Sequence, residues 1–257
     1  MLFKIKRKKR YTYIEEGEGH PIVLLYGLMG GLSNFNEVLD YFSKRGFRII
    51  IPELPLYTST ILTNKLSVFS RFVNNFLKAL NIEHATLIGN SLGGHITLIT
   101  ALKYPEKVHS FVLTGSSGLY EKSFGESFPK ISNYEYVKRG CQGVFYNPDI
   151  ATKEVVDGVY ATLNDRAKAL KIIYIARAAM RHNMANDLKY LKQPALILWG
   201  KQDPITPPEV AEEFHSKLPN SDLVWIDKCG HAPMMEHPEL FIQHLEEWLN
   251  KTVVKTV

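Results

Sequence analysis

Short apolar runs separated by amphipathic stretches organise this chain. Residues 21–26, 47–51, 85–88, 108–113, 194–199 and 223–226 are largely apolar segments. Runs of that length suit strands buried on both faces, as in parallel sheets. Between them the spacing turns helical. Leu66, Phe69, Phe72, Val73, Phe76, Leu77 and Leu80 fall on one stripe, and residues 92–103 and 238–250 read as helices as well. Alternating strands and helices predict right-handed crossovers and a mostly parallel sheet covered on both faces. At the start, Phe3 and Ile5 alternate with Lys4, Lys6 and Lys8, which predicts a strand with one wet face. Residues 11–14 read as its antiparallel partner, and Gly17 to Gly19 turn the chain into the first buried run.

The rhythm breaks after Leu113. From there to Pro194 no buried strand is evident. Residues 118–130 are rich in Gly, Ser and Phe and read as a loop. Residues 134–144, 153–163 and 166–181 carry helical patterns, punctuated by Asn147-Pro148-Asp149 and Asn164-Asp165. The expected organisation is a sheet domain built from residues 1–117 and 189–257, with residues 118–188 inserted as a helical cap. No internal repeat or low-complexity segment interrupts it.

Charge alters this picture less than its total suggests. The 257 residues carry 31 Lys and Arg against 26 Asp and Glu, a net of +5. Six of the bases lie in residues 1–10 and two in residues 251–257, where there are no acids. The 31 bases less those eight leave 23 against 26 acids, so the body carries a net of −3. Basicity confined to the ends argues against a nucleic-acid or membrane surface and for a solvated edge hairpin whose lysines discourage edge pairing. No apolar segment is long enough to span a bilayer, and none follows the basic start as in a signal peptide. The two cysteines, Cys141 and Cys229, form no disulfide framework, so the expected compartment is the cytoplasm.

The chemistry centres on Gly89-Asn90-Ser91-Leu92-Gly93-Gly94, a Gly-x-Ser-x-Gly sequence between a predicted strand and a predicted helix. Such a turn holds serine in strained geometry with its hydroxyl exposed, and the following helix aims free N–H groups at the site. A neutral serine needs a base, and the base needs an orienting carboxylate. Asp203 follows the strand at 194–199 and His231 follows the strand at 223–226. The order Ser91, Asp203, His231 is that of a nucleophile-elbow hydrolase, with each group at the carboxyl edge of the sheet. The oxyanion donors are expected from the N–H of Leu92 and from the loop Tyr26-Gly-Leu-Met-Gly-Gly31, with Leu28 first and Met29 second. His20 reads as a loop residue, and His84, His109, His215, His237 and His244 as surface or helix-end residues. His95 reads as packed or lining the site. No His, Cys and Asp set has metal-ligand spacing, so neither metal nor cofactor is expected.

With GNSLGG at 89–94, WGKQDPITP at 199–207 and CGHA at 229–232, the chain resembles a capped α/β-hydrolase over nearly its whole length. The resemblance implies an eight-stranded, mostly parallel sheet. Within that fold it is most similar to the meta-cleavage-product hydrolases, which cut C–C bonds in ring-fission products. Asn90, the Ser33-Asn34 pair and Cys229 match that subgroup, which implies substrate contacts from Asn34, Asn90, Met29 and Tyr160. Three positions depart from it. Tyr26 replaces the usual His, Ala232 replaces Trp, and Val159 stands where a cap arginine grips the substrate carboxylate, leaving Arg166, Arg177 or Arg181 as substitutes. The expected activity is therefore serine-hydrolase cleavage of an acyl compound, most simply a carboxylic ester. C–C hydrolysis is the runner-up, and a non-catalytic binding protein on the same fold is a third reading. The expected partner is a small apolar acyl or aryl substrate, and a homodimer remains open. Of the aromatic residues Phe124, Phe128, Tyr134, Tyr136, Phe145, Tyr146 and Tyr160, most are expected to pack the cap and a few to line its pocket.

Overall fold

The protein was analysed as a computed structural model that describes residues 3–57, 65–121 and 131–253. Its centre is one eight-stranded sheet, in the order β1-β2-β4-β3-β5-β6-β7-β8. The strands are β1 (Ile5–Lys8), β2 (Tyr11–Glu16), β3 (His20–Leu25), β4 (Phe47–Pro52), β5 (Ala85–Asn90), β6 (Val108–Thr114), β7 (Ala195–Gly200) and β8 (Ser221–Ile226). β1 and β2 are antiparallel, as are β2 and β4, and the other neighbours are parallel. Every residue of β5 and β7 is buried, as in strands covered on both faces of a sheet.

The helices fill the crossovers. They are α1 (Asn36–Phe42), α2 (Ser67–Ala79), α3 (Leu92–Lys103), α4 (Tyr134–Gln142), α5 (Lys153–Asn164), α6 (Arg166–Arg181), α7 (Pro208–Lys217), α8 (Pro233–Glu236) and α9 (Pro238–Thr252). The α2 stripe packs on β2, where Tyr11 and Tyr13 both meet the Phe76 ring. α3 is buried all round from Leu92 to Ala101, which accounts for its uniform hydrophobicity. α1 and α7 were not singled out by periodicity. Their buried sets, Val38, Leu39 and Phe42 in one and Val210, Ala211 and Phe214 in the other, are too short to show a repeating stripe.

The first strand differs from expectation. All four residues of β1 are exposed, with Ile5 at 56%. The strand sits at the sheet edge and pairs only with β2, so neither of its faces meets a helix layer.

Between β6 and β7 lie α4, α5 and α6. Val137, Cys141, Ala151 and Val156 form a separate small core there, lined by Tyr134, Val159 and Tyr160. Ile175, Ala178 and Ala179 of α6 instead join the main core. Lys171 Nζ to Tyr57 O at 2.6 Å ties this insertion to the sheet domain, and Met184 N–H to Gly118 O at 2.7 Å closes its two ends on each other.

Candidate active site

Ser91 occupies the single residue between β5 and α3, at φ +54° and ψ −121°. Few residues other than glycine adopt such a conformation, and it persists only where the surroundings hold it. Here four backbone bonds do so. Ser91 N–H donates to Thr114 O, and Ser91 O accepts from Gly94, His95 and Ser117. The neighbouring glycines are needed for closeness. A Cβ on Gly93 would lie 2.0 Å from Leu25 O, and one on Gly89 would lie 2.4 Å from Gly93 O. Leu92 is the first residue of α3, so its N–H is among those a helix leaves without an intrahelical acceptor.

The loop after β3 reaches over the serine. A Cβ on Gly27 would stand 3.1 Å from Ser91 Cβ and 3.6 Å from its Oγ. Leu28 and Met29 follow directly, both partly buried. Tyr57 donates its hydroxyl to Leu28 O, and burial pushes that phenol up to about 12, so it stays a donor. Asn34 braces the loop from behind by accepting from Gly31 N–H at 2.9 Å. Tyr26 ties the loop to the next one by accepting Leu54 N–H at 2.7 Å, and burial raises its pKa as well.

His231 and Asp203 meet beyond the ends of β8 and β7. His231 Nδ1 lies 2.9 Å from Asp203 Oδ2 and 3.1 Å from Oδ1, with both side chains buried. Asp203 also accepts Ile205 N–H, Thr206 N–H and the Thr206 hydroxyl, so its carboxylate is fixed by four donors. Thr206 O in turn receives the indole N–H of the fully buried Trp199. Gly115 abuts the imidazole, since a Cβ there would come within 2.8 Å of Nδ1. Asn90 donates to Thr114 O and to His231 O, both at 3.0 Å. Its amide therefore braces the histidine loop against the turn that carries Ser91.

The insertion grips this loop directly. His231 N–H donates to Val144 O. Glu236 accepts Gly230 N–H at 2.7 Å on one oxygen, and Tyr146 N–H and Asn147 N–H on the other. Neither Glu236 nor Thr206 was singled out in the sequence. Asp203-Pro-Ile-Thr206 carries the Asx-turn signal for Thr206, but Glu236 acts only through segments brought together by folding.

An architecture of a mostly parallel eight-stranded sheet, with a serine turn after β5 and a His–Asp contact at the carboxyl ends of β7 and β8, can be compared with known proteins. A family model for the alpha/beta hydrolase fold matches residues 20–238. The chain belongs to that family. This hydrolase is 30% identical to the 2-hydroxy-6-oxononadienedioate/2-hydroxy-6-oxononatrienedioate hydrolase of Paraburkholderia phymatum, over 94% of this chain and 91% of the other. It is 47% identical to an alpha/beta hydrolase enzyme from the sediment metagenome of the Mar Chica lagoon in Morocco. That structure superposes with a TM-score of 0.80, covering 96% of this chain and 98% of the other. A meta-cleavage product hydrolase of Pseudomonas fluorescens shares the fold at a TM-score of 0.84 and 21% identity, with coverage of 96% and 97%.

Other expected residues of the hydrolase lie elsewhere. Tyr160 stays within the insertion, with its ring 5.2 Å from Tyr134 and its hydroxyl on Ser132 O. Phe145 contacts both cores, and Tyr146 is half-exposed. Phe124 and Phe128 lie outside the described residues. Arg139, Arg166, Arg177 and Arg181 are all exposed. His95 is fully buried and bonded to His182 Nδ1 at 2.8 Å, and burial holds it down to about 3. His20 is not in a loop: it opens β3 and bonds Thr86 Oγ1 at 2.8 Å. His109 is in β6 and half-buried beside it, not on the surface, because the two strands flank β5. Among the described residues no group of three or more His, Cys, Asp or Glu could hold a metal ion, and no helix is long and apolar enough to cross a membrane.

Proposed function

We propose that this hydrolase cleaves a carboxylic ester with a small apolar acyl or aryl group, using Ser91, His231 and Asp203 as a catalytic triad. The 2.9 Å contact between His231 Nδ1 and Asp203 Oδ2, in a loop packed against the segment that bonds Ser91, carries the reading. Ser91 Oγ attacks the ester carbonyl while His231 takes the hydroxyl proton on Nε2. Asp203 keeps the imidazole in the tautomer that leaves Nε2 free, then stabilises the imidazolium. The N–H groups of Leu92 and Leu28, with Met29 next in line, receive the oxyanion. Losing one such donor typically costs about 3–4 kcal/mol in the barrier. His231 returns its proton to the leaving alkoxide, and water that it then activates releases the acid. This sequence requires no metal or organic cofactor. Asn34 and Asn90 serve by bracing the two loops. Residues 118–188 act as a lid over a core of residues 1–117 and 189–257.

A second reading, C–C hydrolysis of a vinylogous diketone by the same groups, is favoured by the relatives named for dienoate substrates. It needs a cation for the substrate carboxylate. The four arginines described in the insertion are all exposed, and none makes a contact with the residues around Ser91 or His231 that the structure describes. The deciding experiment compares kcat/KM for a series of p-nitrophenyl esters with that for a ring-fission dienoate. Ester turnover with no dienoate cleavage is expected. Dienoate cleavage without ester turnover would reverse the order.

A further inference from the structure

The mechanism above leaves one carboxylate beside the site unused. The chain leaving β6 runs along the triad: Thr114 O accepts from Ser91 N–H and from Asn90, Gly115 abuts His231, and Ser117 N–H donates to Ser91 O. Ser117 is buried, and its hydroxyl donates to Glu121 Oε2 at 2.8 Å. The far side of this segment is pinned to the end of the insertion, by Met184 N–H on Gly118 O and Asn183 Nδ2 on Leu119 O. Glu121 is therefore tied to the segment that also carries the serine and histidine contacts. Among the described residues it makes no salt bridge. Burial raises the pKa of its carboxyl, while the Ser117 hydroxyl and the charge of His231 oppose that rise.

We propose that Glu121 selects substrates by charge, disfavouring those that carry a carboxylate and admitting uncharged or cationic ones. A second carboxylate brought beside it meets a like charge that no salt bridge among the described residues offsets. An ammonium or hydroxyl on the substrate would instead gain a charge-assisted hydrogen bond. The proposal deepens the ester reading and rests on it for the identity of the site.

The test uses two p-nitrophenyl esters of matched length, the neutral valerate and the anionic glutarate monoester. Wild type is expected to favour valerate in kcat/KM. Glu121→Gln is expected to narrow that preference about tenfold, through KM for the glutarate, whereas Glu121→Asp retains it. An unchanged ratio in Glu121→Gln overturns the proposal. Should that variant fail to fold, Glu121→Ala removes the same charge. Binding of both esters to Ser91→Ala, with and without Glu121→Gln, gives a readout free of turnover. If wild type hydrolyses neither ester, the ester reading fails, and the binding ratio still decides Glu121. Relief of glutarate binding upholds the charge selection, and no relief overturns it.

Discussion

Ser91 holds its unusual backbone because three glycines let β3, β5 and α3 crowd against it. The tightest approach is at Gly93, where any side chain would meet Leu25 O at 2.0 Å. Gly93→Ala is expected to destabilise the fold by about 2–4 kcal/mol, as overpacking against backbone does, and a urea titration reads this as a lower midpoint. Asp203→Asn should leave the fold intact, because an amide oxygen can still accept Ile205 and Thr206 N–H. Its kcat should fall by roughly 10⁴, because the imidazole then adopts the wrong tautomer. A loss below tenfold would remove Asp203 from the proposed triad. At this scale the sequence was most informative. A serine between glycines, and an Asp and a His each just past a strand, are local signals whose order carries meaning. Glu121 and Thr206 carry no such order. Their roles come from what lies within 3 Å of them once the chain has folded.

Single elements couple the insertion to the loop that carries His231. Glu236, in the one-turn α8, bridges Gly230 N–H to the N–H groups of Tyr146 and Asn147, about ninety positions away in the chain. Glu236→Ala leaves these donors without their carboxylate, at about 1–3 kcal/mol for each that stays buried. The expected outcome is a drop in kcat of about tenfold or more with a modest loss in thermal midpoint, since the loop bearing His231 loosens while the sheet does not. Unchanged kcat would mean that Val144 O and Asn90 suffice to hold the loop. Strands were legible because buried parallel strands are mostly apolar on both faces, and α2 because its stripe runs for four turns. α1 and α7 were hidden by their brevity. β1 was misjudged on one point: alternation implies a covered face only where a second layer exists, and the sheet edge has none.

Across the whole molecule, buried neutral histidines set the response of stability to acid. His95 ionises near 6.5 when unfolded and is held down to about 3 when folded, first by burial and then by His182. Its neutral form is thus favoured in the native state. The contribution is complete above pH 6.5 and is lost as pH falls from 6.5 towards 3, on the order of a few kcal/mol. His20, held down to about 4 by burial and by His109 and His84, acts in the same direction. Chemical denaturation at pH 7.5 and pH 5 is expected to show lower stability at pH 5, with a smaller difference in His95→Gln. The central proposal, supported by the eight-stranded order, the serine turn and the His–Asp contact, is that Ser91 is a nucleophile. Intact-mass measurement after treatment with a fluorophosphonate tests it most directly. The account predicts one covalent adduct per wild-type chain, located by peptide mapping to Ser91 and missing from folded Ser91→Ala. A folded wild type that stays unlabelled, or equal labelling of the two proteins, would contradict it.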